Sequence, residues 1–115
     1  MLFNQNDVID AFIHSFSGLA ALRDHYGRHI LINQEWEETV GPVTGKTIQD
    51  IAALNLSPRV NTSLIHCSRC DDDTFYHNQP TYNFEFFNNK RYITTRIPVE
   101  YRGESAILIL GTLHK

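Results

Sequence analysis

The sequence has only two cysteines, Cys67 and Cys70, and no run of basic residues. Two cysteines make no disulfide framework, so a reducing cytoplasm is the expected compartment. Lys and Arg number 10 against 13 Asp and Glu, a net charge of -3. Such a surface lacks the electrostatic footprint of a nucleic-acid or anionic-membrane binder. No apolar stretch approaches the ~20 residues of a spanning helix. The longest, residues 106–110, suits a strand. The N-terminus lacks the basic start and apolar run of a signal peptide. Internal repeats, low-complexity tracts and Gly/Ser linkers are also missing. What remains is 115 residues, enough for one domain around one core.

The periodicity of the apolar residues gives the elements. Val8, Ile9, Phe12, Ile13 and Phe16 form one helical stripe, with Asn6 or Asp7 as its expected cap and Gly18 as its end. Residues 19–23 and 29–32 read as strands joined by a polar turn containing Gly27. Asn33 is placed to cap a short helix over 34–40, with Glu35 and Glu37 in its first turn and Trp36 and Val40 facing inward. Gly41 and Pro42 stop it. Thr47 and Asp50 have the spacing of a capping box for the next helix, with Ile48 and Ile51 as its apolar contacts. Ser57-Pro58 starts a longer helix whose apolar face carries Val60, Leu64 and Cys67. The run Asp71-Asp72-Asp73 is expected to be solvated and to end it.

The last third reads as three strands. Tyr82, Phe84 and Phe86 alternate with Asn83 and Glu85. Ile93, Thr95, Ile97 and Val99 form the second alternation, and residues 106–110 are apolar throughout, as in a strand buried on both faces. Turns fall at Asn88-Asn89-Lys90 and Arg102-Gly103-Glu104. The order predicts an α+β domain: a five-stranded antiparallel sheet with short helices on one face and an N-terminal helix. A single sheet requires the final strand beside the first.

Few motifs carry chemistry. Gly45-Lys46-Thr47 imitates a phosphate-binding loop, but the position needing its first glycine holds Val40. His66, Cys67, Cys70 and His77 are the only metal-like group. On a helix Cys67 and Cys70 differ in phase by ~60° and His66 points away, so no structural zinc is expected. Ser15, Ser17, Ser57 and Ser63 lack a glycine-flanked nucleophile turn, and no nucleophile–base pair is visible. Glu35, Glu37 and Glu38 are solvated helix residues. No catalysis is expected. A pocket between the sheet and the long helix is expected to draw on Trp36, Val60, Leu64, Cys67, Ser63, Tyr82 and Thr95, with Arg59, Asn61, Thr94 and Arg96 as further polar candidates.

Asp24, Gly27, Arg28, Ile30 and Asn33, followed by the helix ending at Gly41, resemble the first hairpin and capping Asn of the PAS family. Gly45-Lys46-Thr47-Ile48 with Asp50 and Ile51 is similar to that family's following short helix, and residues 92–98 and 106–111 to its closing strands. The resemblance covers residues 17–113. It implies a sensory or dimerisation core at 17–115 flanked by a helix at 1–16. It further implies that the domain is cut from a longer signalling protein with a histidine kinase, cyclic-dinucleotide synthase or DNA-binding output. The cofactor stays unknown. The cysteines stand in His-Cys-Ser and Arg-Cys-Asp contexts, unlike the flavin-sensing branch, and the outward phase of His66 speaks against haem.

The leading expectation is therefore a cytoplasmic sensor that binds a small ligand and forms a homodimer through Val8, Ile9, Phe12, Ile13 and Phe16. It is expected to touch neither nucleic acid nor membrane. Two alternatives stay open. One is a pure dimerisation module whose core is filled by Trp36, Phe84 and Phe86. The other is a metal- or redox-responsive protein using Cys67 and Cys70.

Overall fold

The structure is a computed structural model that describes residues 4–114. Helix α1 spans Gln5–Ser15 and is followed by strands β1, Leu19–Asp24, and β2, His29–Ile32. Helices α2, Gln34–Thr39, α3, Ile48–Ala53, and α4, Pro58–His77, come next. Strands β3, Thr81–Phe87, β4, Lys90–Tyr101, and β5, Glu104–Leu113, close the chain. One antiparallel sheet has the order β2-β1-β5-β4-β3. The final strand does lie beside the first, with Leu19 opposite Gly111 and Asp24 opposite Ala106. The result is the five-stranded antiparallel α+β architecture that the element order predicted. No helix among the described residues is long and apolar enough to cross a membrane.

Local chemistry starts and stops the helices. Asn33 Oδ1 accepts from the Trp36 N–H and caps α2. Thr47 and Asp50 form a reciprocal capping box at α3, which satisfies two otherwise orphaned backbone donors. Ser57 caps α4 and Pro58 opens it. Two expectations at helix ends are corrected. The cap of α1 is Asn4, two or three residues earlier than expected, whose side chain accepts from the Asp7 N–H. The run Asp71-Asp72-Asp73 does not end α4, which continues to His77 and stops at Asn78 in the left-handed conformation. Asp71 is buried on the sheet-facing side, while Asp72 and Asp73 face solvent. Three adjacent acids on a helix point in different directions, so one can be ion-paired inside while the others are hydrated.

The sheet has a core on each face. On the inner face, under α2, α3 and α4, Leu19, Ala21, Trp36, Ile51, Ile107 and Ile109 pack together. On the outer face, α1 lays Ile9 and Ile13 on Ala20, Leu22, Ala106 and Leu108. Strands β1 and β5 are therefore covered on both sides, which accounts for their unbroken apolar character. The turn from α1 into β1 brings Gly18 against β5. A Cβ there would lie 2.3 Å from the Gly111 carbonyl oxygen.

Strand β3 behaves differently. Tyr82, Phe84 and Phe86 are exposed, and Glu85 is buried. Phe84 and Phe86 thus do not fill the core, as the dimerisation alternative supposed. The polar member of the alternation points inward because an arginine on β4 waits for it.

Candidate functional site

That arginine is Arg96, fully buried on the inner face. Its Nη1 and Nη2 donate to Glu85 at 2.5 and 3.0 Å, and its Nε donates to Asp71 at 2.7 Å. Arg23, from β1, holds Asp71 from the other side in a bidentate pair of 2.8 and 2.9 Å. Thr94 and Cys67 also donate to Glu85. Two guanidinium groups and two carboxylates, drawn from β1, α4, β3 and β4, thus form one neutral cluster. Burial alone would raise Asp71 and Glu85, but the arginines outweigh it and hold both carboxyls below their ordinary values. Taking four charges out of water is tolerable only because each carboxylate meets a guanidinium in good geometry.

His29, on β2, extends the cluster. Its Nδ1 lies 2.9 Å from the Lys46 carbonyl oxygen and its Nε2 lies 3.3 Å from Arg23 Nη1. A carbonyl only accepts and a guanidinium only donates, so the proton is assigned to Nδ1 and the lone pair to Nε2. Burial, reinforced by the charge of Arg23, lowers the His29 pKa to about 4. The ring is neutral across the physiological range.

Beside this cluster lies a cavity of about 830 Å³ between the inner sheet face and α2, α3 and α4. Its size falls within the ~300–1,000 Å³ of small-molecule sites. Arg23, His29 and Cys67 stand in its wall together with Trp36, and Arg59, Asn88 and Asn89 contribute to its lining. The Arg59 guanidinium donates to Asn89 Oδ1, joining the start of α4 to the β3–β4 turn. Burial pushes the Cys67 thiol up to about 12, so it is a packed, protonated group and no nucleophile.

Of the pocket residues expected from sequence, Trp36, Val60, Ser63, Leu64 and Cys67 are in the cavity wall, as is Arg59. Tyr82 and Thr95 are not. They face each other across β3 and β4 on the outer face, opposite in parity to buried Thr94 and Arg96, which corrects their assignment. Thr94 and Arg96 belong to the ion cluster. The sequence reading passed over Arg23, His29, Asp71 and Glu85. The signal for Glu85 was there: a lone acid between two phenylalanines in a strand, opposite a strand carrying an arginine at the matching parity.

The tertiary structure also assembles a group that helical phase alone did not reveal. His66, Cys70 and Glu85 place ligand-type atoms within 4.8 Å of one another, and the Cys70 Sγ lies 3.5 Å from His66 Nε2. Both oxygens of Glu85 already accept from Arg96, and burial raises the Cys70 thiol. A cation at this point would have to displace a guanidinium from its carboxylate and deprotonate a buried thiol.

The stripe on α1 divides in two. Ile9 and Ile13 are buried against the chain's own sheet, so they are removed from the set of dimer-contact candidates. Val8 and Phe12 remain exposed, and Phe16 is half-buried and stacked on Phe12.

No protein-family model matches the chain, and no curated protein matches it in sequence. Solved structures do match in fold. The PAS domain of BvgS from Bordetella pertussis superposes with a TM-score of 0.70 at 16% identity, over 96% of this chain and 87% of that one. The PAS domain of an HTR-like protein from Haloarcula marismortui gives 0.60 at 13% identity, over 93% and 89%. VqmA of Vibrio cholerae, described as a dimer in the absence of its target DNA and in connection with the DNA-binding mechanisms of LuxR-type receptors, gives 0.70 at 11% identity, over 99% of this chain. The chain spans about half of that protein's length, 52%. VqmA is also described bound to DPO, in a structure that matches with a TM-score of 0.69 at 12% identity, over 90% of this chain and 56% of that one.

Proposed function

We propose that this PAS-like domain is the sensory module of a longer signalling protein. It takes up a small molecule in the cavity beneath α4 and relays that event through a homodimer to an output domain. The observation that carries the reading is the cavity itself. It is walled mainly by apolar side chains, and two of its polar groups, Arg23 and His29, are held in place by the ion cluster, which is the character of a small-molecule site. A bound molecule would touch α2, α3, α4 and, through Arg23, the strand beside β5.

The opposite face supplies the association surface. Tyr82, Phe84 and Phe86 are 72%, 57% and 60% exposed along one side of β3. With Val8 and Phe12 of α1, 55% and 43% exposed, they leave apolar side chains facing water, of the kind that marks a protein contact. The core at 17–115 would sense, and α1, within the 1–16 flank, would both cover the sheet and join the dimer.

In this reading the domain is a binding module and catalyses nothing, since its buried carboxylates are consumed by arginines and its Cys67 thiol is held protonated. It works in the cytoplasm and contacts neither nucleic acid nor membrane, in keeping with its net charge of -3. Neither flavin nor haem belongs to the proposal. The sequence contexts of Cys67 and Cys70 depart from the flavin pattern, and His66 is exposed and outside the cavity wall.

Native mass spectrometry of the purified protein, set beside its denatured mass, tests the reading. A small-molecule mass that is retained on native protein and lost from Val60→Trp, which fills the cavity, supports it. A bare dimer mass indicates a dimerisation module without a ligand.

A further inference from the structure

The Nε1 of Trp36 is buried and has no hydrogen-bond acceptor among the described residues. The indole belongs to the cavity wall. A buried donor left unpaired is costly, and such groups are rare enough to need a reason. Arg23 shares that wall, with its guanidinium carbon 5.7 Å from the centroid of the Trp36 ring. A guanidinium has five N–H groups. Arg23 spends its Nε and one N–H on each of Nη1 and Nη2 on Asp71 and His29, which leaves one N–H on each Nη without an acceptor among the described residues.

No carboxylate among the described residues of the wall balances these donors. His29 has both ring nitrogens engaged. No aspartate or glutamate is among the described residues lining the cavity. At Trp36 and Arg23 the cavity wall therefore has donors to spare and no carboxylate to meet them, within walls otherwise formed by residues such as Val40, Ile51, Leu56, Ser63, Leu64 and Phe87.

We infer that the cavity selects small, largely apolar molecules that carry an acceptor oxygen, a carbonyl or carboxylate, and that this oxygen takes the Trp36 Nε1–H with Arg23 as a second donor. The inference rests on the cavity being the ligand site. A molecule presenting a donor at that point meets two further donors, and a hydrocarbon leaves the indole N–H unpaired. A site built this way discriminates by hydrogen bonding more sharply than by shape.

Trp36 is the only tryptophan, so the indole region of a ¹H–¹⁵N correlation spectrum reports on this one N–H. Acetophenone and α-methylstyrene have nearly the same shape and differ by C=O against C=CH₂. On the wild-type domain, acetophenone is expected to move the indole cross-peak downfield and to bind about tenfold more tightly than α-methylstyrene. Trp36→Phe keeps a ring and removes the N–H, so the ratio should fall toward one. If that variant does not fold, the wild-type ratio and the indole shift decide the matter. Equal binding of both probes with the indole peak unmoved overturns the acceptor assignment and leaves the cavity as a ligand site. If neither probe, at its solubility limit, moves the amides of Val60, Leu64 and Phe87, the cavity reading falls and this inference falls with it.

Discussion

Asp71 accepts from Arg23 on one side and Arg96 on the other, so no single pair in the cluster can be removed cleanly. Asp71→Asn would leave two buried guanidinium groups sharing one carboxylate. Breaking a buried pair this way costs about 3–5 kcal/mol, and urea unfolding should show a loss of that order. The cluster also sets a pH dependence. Asp71 and Glu85 have lowered pKa values when folded. Their contribution is therefore complete above the unfolded carboxylate values of about 4 and is lost as pH falls through the folded ones. His29 acts earlier and in the same direction. Its folded pKa is about 4, against about 6.5 unfolded. Between those values the unfolded chain binds a proton that the folded chain refuses, and stability declines by roughly 3 kcal/mol as pH drops. Urea midpoints taken from pH 7.5 down to 4.5 should fall in the wild type and flatten in His29→Gln. The thiols make a separate prediction. With Glu85 held by Arg96, the purified protein should contain no stoichiometric zinc. Elemental analysis finding one zinc per chain, lost on Cys70→Ser, would falsify this.

The two N-caps of the short helices are chemically similar and structurally unequal. Thr47 caps α3 at a half-buried position, so Thr47→Ala should cost about 1 kcal/mol. Asn33 is buried and ties three elements together. Its Oδ1 accepts from Trp36 and from the Ala20 N–H of β1, and its Nδ2 donates to the Gly18 carbonyl at 2.8 Å. Asn33→Ala removes the cap and orphans a strand donor, so its cost should reach about 2–4 kcal/mol, measured in the same denaturation series. The sequence placed both caps correctly, because capping is a matter of spacing within a few residues. It did not show which one was also a junction. That depends on β1 passing beside the start of α2, a contact between segments distant in the chain.

For the molecule as a whole, one sheet face is a closed core with a cavity and the other is only partly covered. α1 protects β1, β2 and β5, and the aromatic row of β3 stays bare. A homodimer through that bare region is the expected state, with a dimer mass in sedimentation at micromolar concentration. Phe84→Glu and Phe12→Glu should shift it to monomer while leaving the melting temperature nearly unchanged. Ile13→Glu should instead unfold the domain, since Ile13 has no exposed surface. A wild type that stays monomeric at high micromolar concentration would remove the dimer from the proposal.

Most of the fold could be read from the chain itself. Helix starts, turns and strand periods are set by residues within a few positions of one another, and the continuous apolar run of β5 by itself required a place in the middle of the sheet. The helical face of Val60, Leu64 and Cys67 was readable for the same reason. What only the tertiary structure decided was the assignment of faces and partners. Tyr82 and Thr95 looked suited to a pocket, and Phe84 and Phe86 to a core, because alternation shows that residues share a face without saying which face is covered. Asp71 looked solvated among its neighbouring acids, and Glu85 looked like an ordinary polar strand residue. Their burial depends on Arg23 and Arg96 arriving from β1 and β4, 48 and 11 residues away respectively. A charge can be placed inside a protein only where its counter-charge also converges, and that convergence is a property of the folded chain.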